Sequence, residues 1–360
     1  MTLRASSLLA LASVALLAAP LAITSISSND IWLHLETGAL ILERGEVPRA
    51  EEYTFTRAGS PIVDHEWLAQ VIFALAEQAG GLGALILLKF LLTAATLVLV
   101  GLAAVREMPG GLLPEGSRGA LAALALVGAA LLLATHLFLR PHLFTLLLAA
   151  GWPLLLRRSG GRGAGRLRTI ALLVALQILW ANLHGGFVVG ILLAAVHAAG
   201  EAWKERKLTS AAALPPVLAL SALVNPYGAR LYDLVGSFSD PAFRRFIVEW
   251  QSPFTSPFRL SALFWVYIAW LAALALGAYL AWRRGRTEAV LSIALFAALS
   301  LVSRRHMSLL AVVTAPMVAA AAASIPVREL PAARPGRLRA WAGACVLILA
   351  AGTLGVTGVP

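Results

Sequence analysis

Two short polar stretches of this sequence contain side chains that can accept or donate protons. The first holds Asp30 and His34, and the second holds Asp64, His65 and Glu66. Carboxylates and imidazoles are the side chains that most often act as general bases and acids. The four-residue spacing of Asp30 and His34 places both on one face of a helix, where they can reach one substrate. We therefore predict a site for proton transfer at these residues, the alternative being a helix cap beside an interfacial histidine.

The rest of the sequence is typical of an integral membrane protein. Of its 360 residues, 59% are hydrophobic and 13% are charged, and the mean hydropathy is +0.82. Backbone groups inside a bilayer must satisfy their own hydrogen bonds, so apolar runs of this kind predict helices. We predict an all-α polytopic helix bundle that forms a single transmembrane domain over residues 1–360. The lone Cys345 lies in the last apolar run and offers neither a disulfide nor a cysteine metal site.

The apolar runs predict about eleven membrane-spanning helices. They lie at 6–27, 84–105, 119–138, 142–156, 169–183, 186–201, 209–224, 260–282, 287–302, 307–325 and 340–358. Short cytoplasmic loops are rich in Lys and Arg, so the net charge of +11 indicates topology and no nucleic-acid partner. The N-terminus is then cytoplasmic, and two long loops, 28–83 and 225–258, lie outside. We expect a bacterial inner or plasma membrane protein whose active site faces outward.

Two amphipathic helices on the membrane surface are expected within the long first loop, 28–83. The first begins after Asp30 as its cap and ends at Gly45-Glu46-Val47-Pro48. The second begins with Asp64 as its cap and runs to about Gln78. Each helix carries a tryptophan near its start, which is a candidate contact to a sugar or an acceptor and also an ordinary interfacial anchor. These tryptophans are Trp32 and Trp67.

The order of these features resembles the GT-C superfamily, polytopic glycosyltransferases that include protein O-mannosyltransferases and lipid A aminoarabinose transferases. The resemblance consists of an acidic residue after the first span, two surface helices, and turns at Gly45 to Pro48 and at Gly59 to Pro61. In such enzymes that acidic residue is the catalytic base, which implies this role for Asp30. Many relatives carry a second acidic residue where Asn29 stands and a Lys-Pro-Pro-like segment where His65-Glu66-Trp67-Leu68 stands.

The resemblance implies inverting transfer of a sugar from a polyprenyl-phosphate donor to a hydroxyl of a lipid, glycan or protein acceptor. Such transfer needs a base for the acceptor proton and cations for the departing phosphate. His34, His65 and Glu66 are expected to shape the site beside Asp30. Arginine binds phosphate through paired donors, although snorkelling to surrounding membrane lipids is an alternative for each cation. The candidate cations for the donor phosphate are Arg140, Arg304, Arg305 and Lys89.

Further polar residues on the predicted outer side are candidates for binding the sugar or the acceptor. Asn182 and His184 lie in a turn with almost no connecting loop, and Glu249 and Trp250 lie within 225–258. A tight turn and an interfacial anchor are the alternatives. The carboxylates and histidines of the site are also good ligands for a divalent metal, but their spacing does not require one.

Two other classes of function fit the composition. A transporter or flippase for a lipid-linked or anionic substrate predicts polar residues near the middle of helices and two related halves. A non-catalytic membrane assembly partner predicts that loss of Asp30 is tolerated.

Overall fold

The computed structural model describes residues 28–108, 115–161, 163–238 and 240–324, together with Ile23 and Ile26. Within these residues the fold is helical, and the β pairing there consists of an isolated bridge between Ala50 and Pro61. The all-α prediction is therefore confirmed for the described part of the chain. The predicted spans at 6–27 and 340–358 lie outside the described residues.

The described residues form a series of α-helices joined by turns and short 3-10 helices. The α-helices are α1 (Asp30–Arg44), α2 (Trp67–Glu107), α3 (Glu115–Ala134), α4 (His142–Ser159), α5 (Gly163–Leu183), α6 (Val188–Glu205), α7 (Leu214–Ser221), α8 (Arg230–Ser237), α9 (Pro241–Phe246), α10 (Ala262–Arg283), α11 (Thr287–Val302) and α12 (Met307–Ala322). The 3-10 helices are Phe55–Arg57, Gly185–Phe187, Ser210–Ala213, Val248–Trp250, Pro257–Leu260 and Arg304–His306.

Several of these segments are long and apolar enough to cross a membrane. The five candidate spans are Trp67–Glu107, Gly163–Leu183, Gly185–Glu205, Ala262–Arg283 and Arg304–Ala322. They correspond to the predicted spans at 84–105, 169–183, 186–201, 260–282 and 307–325. Three shorter apolar helices lie at Gly119–Ala134, Ser210–Ser221 and Thr287–Val302. The chain is thus a membrane helix bundle, and the count of about eleven spans stays a prediction.

The first predicted surface helix is present as α1. Its buried residues recur with helical spacing, and it ends at Gly45, whose φ of 70° is a left-handed conformation that glycine adopts at little cost. The predicted cap is wrong, because Asn29 occupies the cap position and Asp30 is already the first helical residue. A carboxylate in the first turn still interacts favourably with the helix dipole.

The second predicted surface helix is the first segment of α2. The helix turns at Gly80 and Gly81, where Gly81 has φ 60° and ψ −153°, a conformation almost restricted to glycine. The segment beyond this turn is the predicted span. The predicted start at Asp64 is wrong, since α2 begins at Trp67. The Asp64 carboxylate instead folds back to accept the backbone N–H of Glu66 at 3.3 Å, as short acidic side chains do in turns.

Helix α12 lies at the centre of the bundle. All its residues from Met307 to Pro316 are buried, as expected of a helix that is apolar on every side. It packs against α2, α3, α4, α10 and α11. Its N-terminal end follows directly on Arg304–His306, so the central helix fixes the position of that basic turn.

Helix α1 packs closely on the first segment of α2 through Gly38. A Cβ atom added at Gly38 would lie 2.1 Å from the carbonyl oxygen of Gln70, so Gly38→Ala must push the two helices apart. We expect a loss of about 2 kcal/mol or more in stability, measured as a lower thermal midpoint of the detergent-purified protein. Gly83→Ala is the matched control, because no atom lies within 4 Å of an added Cβ there. Equal midpoints for the two variants would contradict this packing.

Candidate active site at one end of the bundle

Polar residues from distant parts of the chain meet at one end of the bundle. They come from the start of α1, the turns before α2, α4 and α6, the loop between α9 and α10, and the 3-10 helix before α12. We divide them into two groups that share a border. The carboxylate–histidine cluster consists of His34, His65, Glu66 and His184, and the charged network consists of Asp30, Arg140, Glu249 and Arg305.

Glu66 lies at the centre of the carboxylate–histidine cluster. Its Oε1 atom lies 3.5 Å from Nε2 of His184 and 3.6 Å from Nε2 of His65. Its Oε2 atom lies 4.0 Å from Nε2 of His34, and the Glu66 side chain is 17% exposed. Three imidazole rings therefore present the same nitrogen to one carboxylate.

Burial sets the protonation of this cluster. It raises the pKa of Glu66 above its usual range, despite the opposing effects of His34 and Arg305. Burial also lowers the pKa of His65 to about 4 and holds the pKa of His184 well below its usual range. The histidines are then neutral near pH 7, and Glu66 is a stronger base than an exposed glutamate.

The proton on His184 is directed toward Glu66. Nδ1 of His184 accepts the backbone N–H of Gly186 at 2.9 Å and lies 2.8 Å from the Thr145 hydroxyl. That hydroxyl oxygen accepts the indole N–H of Trp180 at 2.8 Å, which leaves its own proton for Nδ1. With Nδ1 accepting, the ring proton is on Nε2. His184 therefore offers a hydrogen-bond donor to the carboxylate.

The charged network is centred on Arg140. Nη2 lies 2.9 Å from Oδ2 of Asp30, whose side chain is 52% exposed, and Nη1 lies 3.3 Å from Oε1 of Glu249. Nε donates to the Ser28 hydroxyl at 2.9 Å. Arg305 approaches the same Glu249 oxygen at 3.7 Å and is 34% exposed. Each guanidinium nitrogen of Arg140 thus contacts a protein group, whereas Arg305 makes one longer ion pair.

Trp250 forms the aromatic wall beside this network. The Arg305 guanidinium lies 5.1 Å from the centre of its ring, within the range of a cation–π interaction. The ring centres of Phe238 and Phe243 lie 5.6 and 5.4 Å from the ring centre of Trp250. The hydroxyl of Ser303 donates to the Glu249 carbonyl at 3.0 Å. Residues 225–258 are therefore joined to the basic turn that precedes α12.

Asn182 and Trp67 bond to each other near this site. The Trp67 indole N–H donates to Oδ1 of Asn182 at 2.9 Å. Nδ2 of Asn182 donates to the carbonyls of Ile178 and Val224, each at 2.8 Å. Both amide protons of Asn182 are used inside the protein, so this side chain joins the start of α2 to the end of α5.

Three other predicted site residues lie apart from the two groups. Trp32 is 60% exposed on α1. Lys89 is 2% exposed in the segment of α2 beyond Gly81, about 12 Å along the helix from that glycine. The Arg304 guanidinium lies 5.2 Å from the ring centre of Phe258. The two groups thus contain eight of the fourteen predicted residues. Trp250 contacts Arg305, while Trp67 and Asn182 bond to each other, and these last three also lie outside the two groups.

Thr145 and Trp180 are site residues that the sequence did not indicate. Each lies within an apolar run. Thr145 of α4 contacts Nδ1 of His184, and the Trp180 indole of α5 donates to the same Thr145 hydroxyl. No local spacing pattern marks them. Their position at the polar end of the bundle was the available signal.

The fit of these groups to a metal ion is poor. In the part of the chain that the structure describes, no three His, Cys, Asp or Glu side chains form a group suited to metal binding. The Nε2 atom of His184 carries its proton toward Glu66, and a metal ligand would need a lone pair there. The described residues therefore do not support the divalent metal site that the sequence leaves open.

Asp64 holds the backbone of Glu66 in place beside the cluster. Its Oδ1 atom accepts the backbone N–H of Glu66 at 3.3 Å and the side-chain N–H of Gln70 at 3.1 Å. Its Oδ2 atom is buried without a hydrogen-bond partner among the described residues. Burial raises the pKa of Asp64 from 3.8 to about 6. Ionised Asp64 is therefore costly to the folded state.

Asp64 is expected to make the protein less stable as the pH rises. Because its folded pKa is the higher one, its favourable contribution is complete below about pH 4 and is lost as the pH rises through about 6. Asp64→Asn keeps the Oδ1 acceptor and removes this cost. We expect the variant to be more stable than wild type by up to about 3 kcal/mol at pH 7.5 and by about 1 kcal/mol at pH 4.5. Thermal unfolding at the two pH values checks this, and an equal difference at both would contradict it.

Comparison of the chain with protein-family models and with curated proteins finds no match.

Proposed function

We propose that this protein transfers a sugar from a polyprenyl-phosphate donor to an acceptor hydroxyl at the end of the bundle that holds the carboxylate–histidine cluster. The loop charges of the sequence predict that this end faces the outside of the membrane. The observation that best supports the proposal is the charged network itself. Asp30, expected to be the base, and Arg140 and Arg305, expected to bind phosphate, are joined through Glu249.

Asp30 is the proposed base. Its half-exposed carboxylate is accessible to an acceptor, and the Arg140 guanidinium at 2.9 Å holds it in one orientation. Asp30 takes the proton of the acceptor hydroxyl as that oxygen bonds to the anomeric carbon. The bond from the anomeric carbon to the phosphate oxygen breaks on the opposite face. The sugar configuration inverts, and the electron pair leaves with the polyprenyl phosphate.

The carboxylate–histidine cluster is the proposed sugar-binding wall. Glu66 supplies an acceptor and His184 a donor, 3.5 Å apart and largely shielded from water. A sugar hydroxyl can accept from one and donate to the other. Because a buried polar pair lacks water as a substitute, it favours a hydroxyl over an apolar group. The sugar is thereby oriented beside Asp30.

Arg305 is the proposed contact to the donor phosphate. Arg140 already serves Asp30, Glu249 and Ser28, and Arg304 is stacked on Phe258. Arg305 is partly exposed and makes one ion pair at 3.7 Å. It therefore keeps donors for a phosphate, to which arginine can bind through two parallel hydrogen bonds.

Kinetics of two arginine variants test this division of roles. Arg305→Met is expected to raise KM for the lipid-phosphate donor about tenfold or more with a smaller change in kcat. Arg140→Met is expected to lower kcat about tenfold or more, because Asp30 loses its orientation. Arg259→Met, which removes an exposed arginine of the loop between α9 and α10, is the control and should retain wild-type kinetics. The same kinetic pattern in both Arg140 and Arg305 variants would contradict the assignment.

A further inference from the structure

A second site of unusual character lies at the opposite end of the bundle. A cavity of about 750 Å³ opens between the C-terminal parts of α2, α4 and α6 and the turn that joins α10 to α11. Helix α4 begins beside Arg140 and ends at this cavity, so the two sites are about 25 Å apart. The volume is that of a pocket for a small molecule or a lipid headgroup.

Basic side chains dominate the rim of this cavity. Six cationic side chains and three carboxylates line it, which leaves an excess of three positive charges. The cations come from three helices and one turn that are distant in sequence. They are Arg106, Arg157, Arg158, Lys204, Arg284 and Arg286, and the carboxylates are Glu107, Glu201 and Glu288.

Glu107 fixes two of these arginines. Its side chain is 7% exposed and forms ion pairs with both Arg157 and Arg286. The two guanidinium groups are therefore held close together by one carboxylate, with a surplus of one positive charge. The two arginines are therefore preorganised to bind a second anion, because their conformational entropy is lost on folding and not on binding.

Other cations of the rim lack an anionic partner. Arg106, Arg158 and Lys204 form no ion pair with any residue that the structure describes, and all three are exposed. Cations at a membrane surface can snorkel to lipid headgroups singly. Here they face one shared cavity with Arg157 and Arg286, so a single anion can contact several of them.

The floor of the cavity is apolar. Leu154, Leu156, Leu193, Val313 and Met317 form it, together with Pro153 of α4 and Pro316 of α12. Each proline lacks a backbone N–H and so leaves the carbonyl of the preceding helical turn without its usual donor. A charged rim above an apolar floor suits a ligand with an anionic head and a less polar body.

We propose that this basic cavity binds a phosphate group, carried either by an anionic membrane lipid or by a soluble phosphate compound. Arginine is the side chain best suited to phosphate because its planar group donates two parallel hydrogen bonds. Basic pockets between spanning helices on the cytoplasmic side are a recurrent location for anionic headgroups. The loop charges place this end of the bundle on that side. The cavity is separate from the proposed sugar-transfer site and does not depend on it.

Binding to the full-length protein in neutral detergent tests the proposal. The probes are phosphatidylglycerol, diacylglycerol as the phosphate-free lipid, and inorganic pyrophosphate as the soluble phosphate. Bound lipid is counted by native mass spectrometry, and apparent affinity is measured from the ligand-dependent rise in thermal midpoint. The test variant combines Arg158→Gln with Lys204→Gln. The control is Arg283→Gln. Arg283 is the exposed last residue of α10, at the cavity end of the bundle, and its side chain does not line the cavity.

We expect saturable binding of a phosphate-bearing probe and none of diacylglycerol. The double variant should weaken that binding about tenfold or more, while Arg283→Gln should stay within about twofold of wild type. Binding of phosphatidylglycerol without competition by pyrophosphate would support the proposal and identify a lipid ligand. Competition by pyrophosphate would support it and identify a soluble one. Absence of saturable phosphate binding, or a double variant that binds as wild type does, would overturn it.

Discussion

Asp30→Asn is expected to lower the rate of sugar transfer by about 100-fold or more, the usual effect of removing a general base. An amide has the shape of the carboxylate and can still contact Arg140, but it cannot take the acceptor proton. Stability should change little, because Asp30 is 52% exposed and exposed ion pairs contribute little. Initial rates and thermal midpoints of the purified variant check both statements.

Glu36→Gln is the matched control for Asp30→Asn. Glu36 is an exposed carboxylate on the same helix, α1, and its loss removes the same charge from that helix. Its transfer rate should equal that of wild type. An equal loss of rate in the two variants would show that general charge, and not a base at Asp30, matters. Full activity of Asp30→Asn is also what a non-catalytic assembly partner predicts.

Glu66→Gln is expected to raise the stability of the protein at pH 8 and to lower its rate of sugar transfer. Burial raises the pKa of Glu66, so the ionised carboxylate weakens the folded state at pH values above that raised pKa. Glutamine keeps the shape and removes the charge, and it should raise the thermal midpoint at pH 8 with little change at pH 4. The transfer rate should fall about tenfold or more, because an amide is a weaker hydrogen-bond acceptor for a sugar hydroxyl than a carboxylate.

Glu77→Gln provides the comparison for Glu66→Gln. Glu77 lies on the same surface segment of α2 and is exposed, so its replacement should change neither the midpoint nor the rate. A Glu66→Gln variant that loses stability at pH 8 would mean that the buried charge is compensated. A variant that keeps full activity would remove the cluster from the sugar-binding role.

Local features of the fold were predictable where glycine determines the backbone. Gly45 marked the end of α1. The predicted end of the second surface helix, near Gln78, lies just before the turn at Gly80 and Gly81. The caps were not predictable in the same way. Asp30 and Asp64 are both typical N-capping residues. Which residue becomes the cap depends on where the backbone first takes helical dihedral angles, and composition does not determine that position.

The grouping of the site followed in part from topology. Alternating spans put Asp30, Arg140 and Arg305 at one end of the bundle, and they meet there through Glu249. The hydrogen bonds behind His184 were not predictable, because Thr145 meets both His184 and the Trp180 indole through tertiary packing of apolar helices. In the sequence, the basic loops indicate topology alone. That they line a common cavity depends on how α2, α4 and α6 pack.

Sugar transfer by purified wild type and by Asp30→Asn, measured on a panel of polyprenyl-phosphate sugars with acceptor present, tests the proposed function most directly. The readout is release of polyprenyl phosphate together with transfer of the sugar. We expect wild type to turn over at least one donor and Asp30→Asn to be slower by about 100-fold or more. Equal release by both proteins, or turnover of no donor by wild type, would contradict sugar transfer at Asp30.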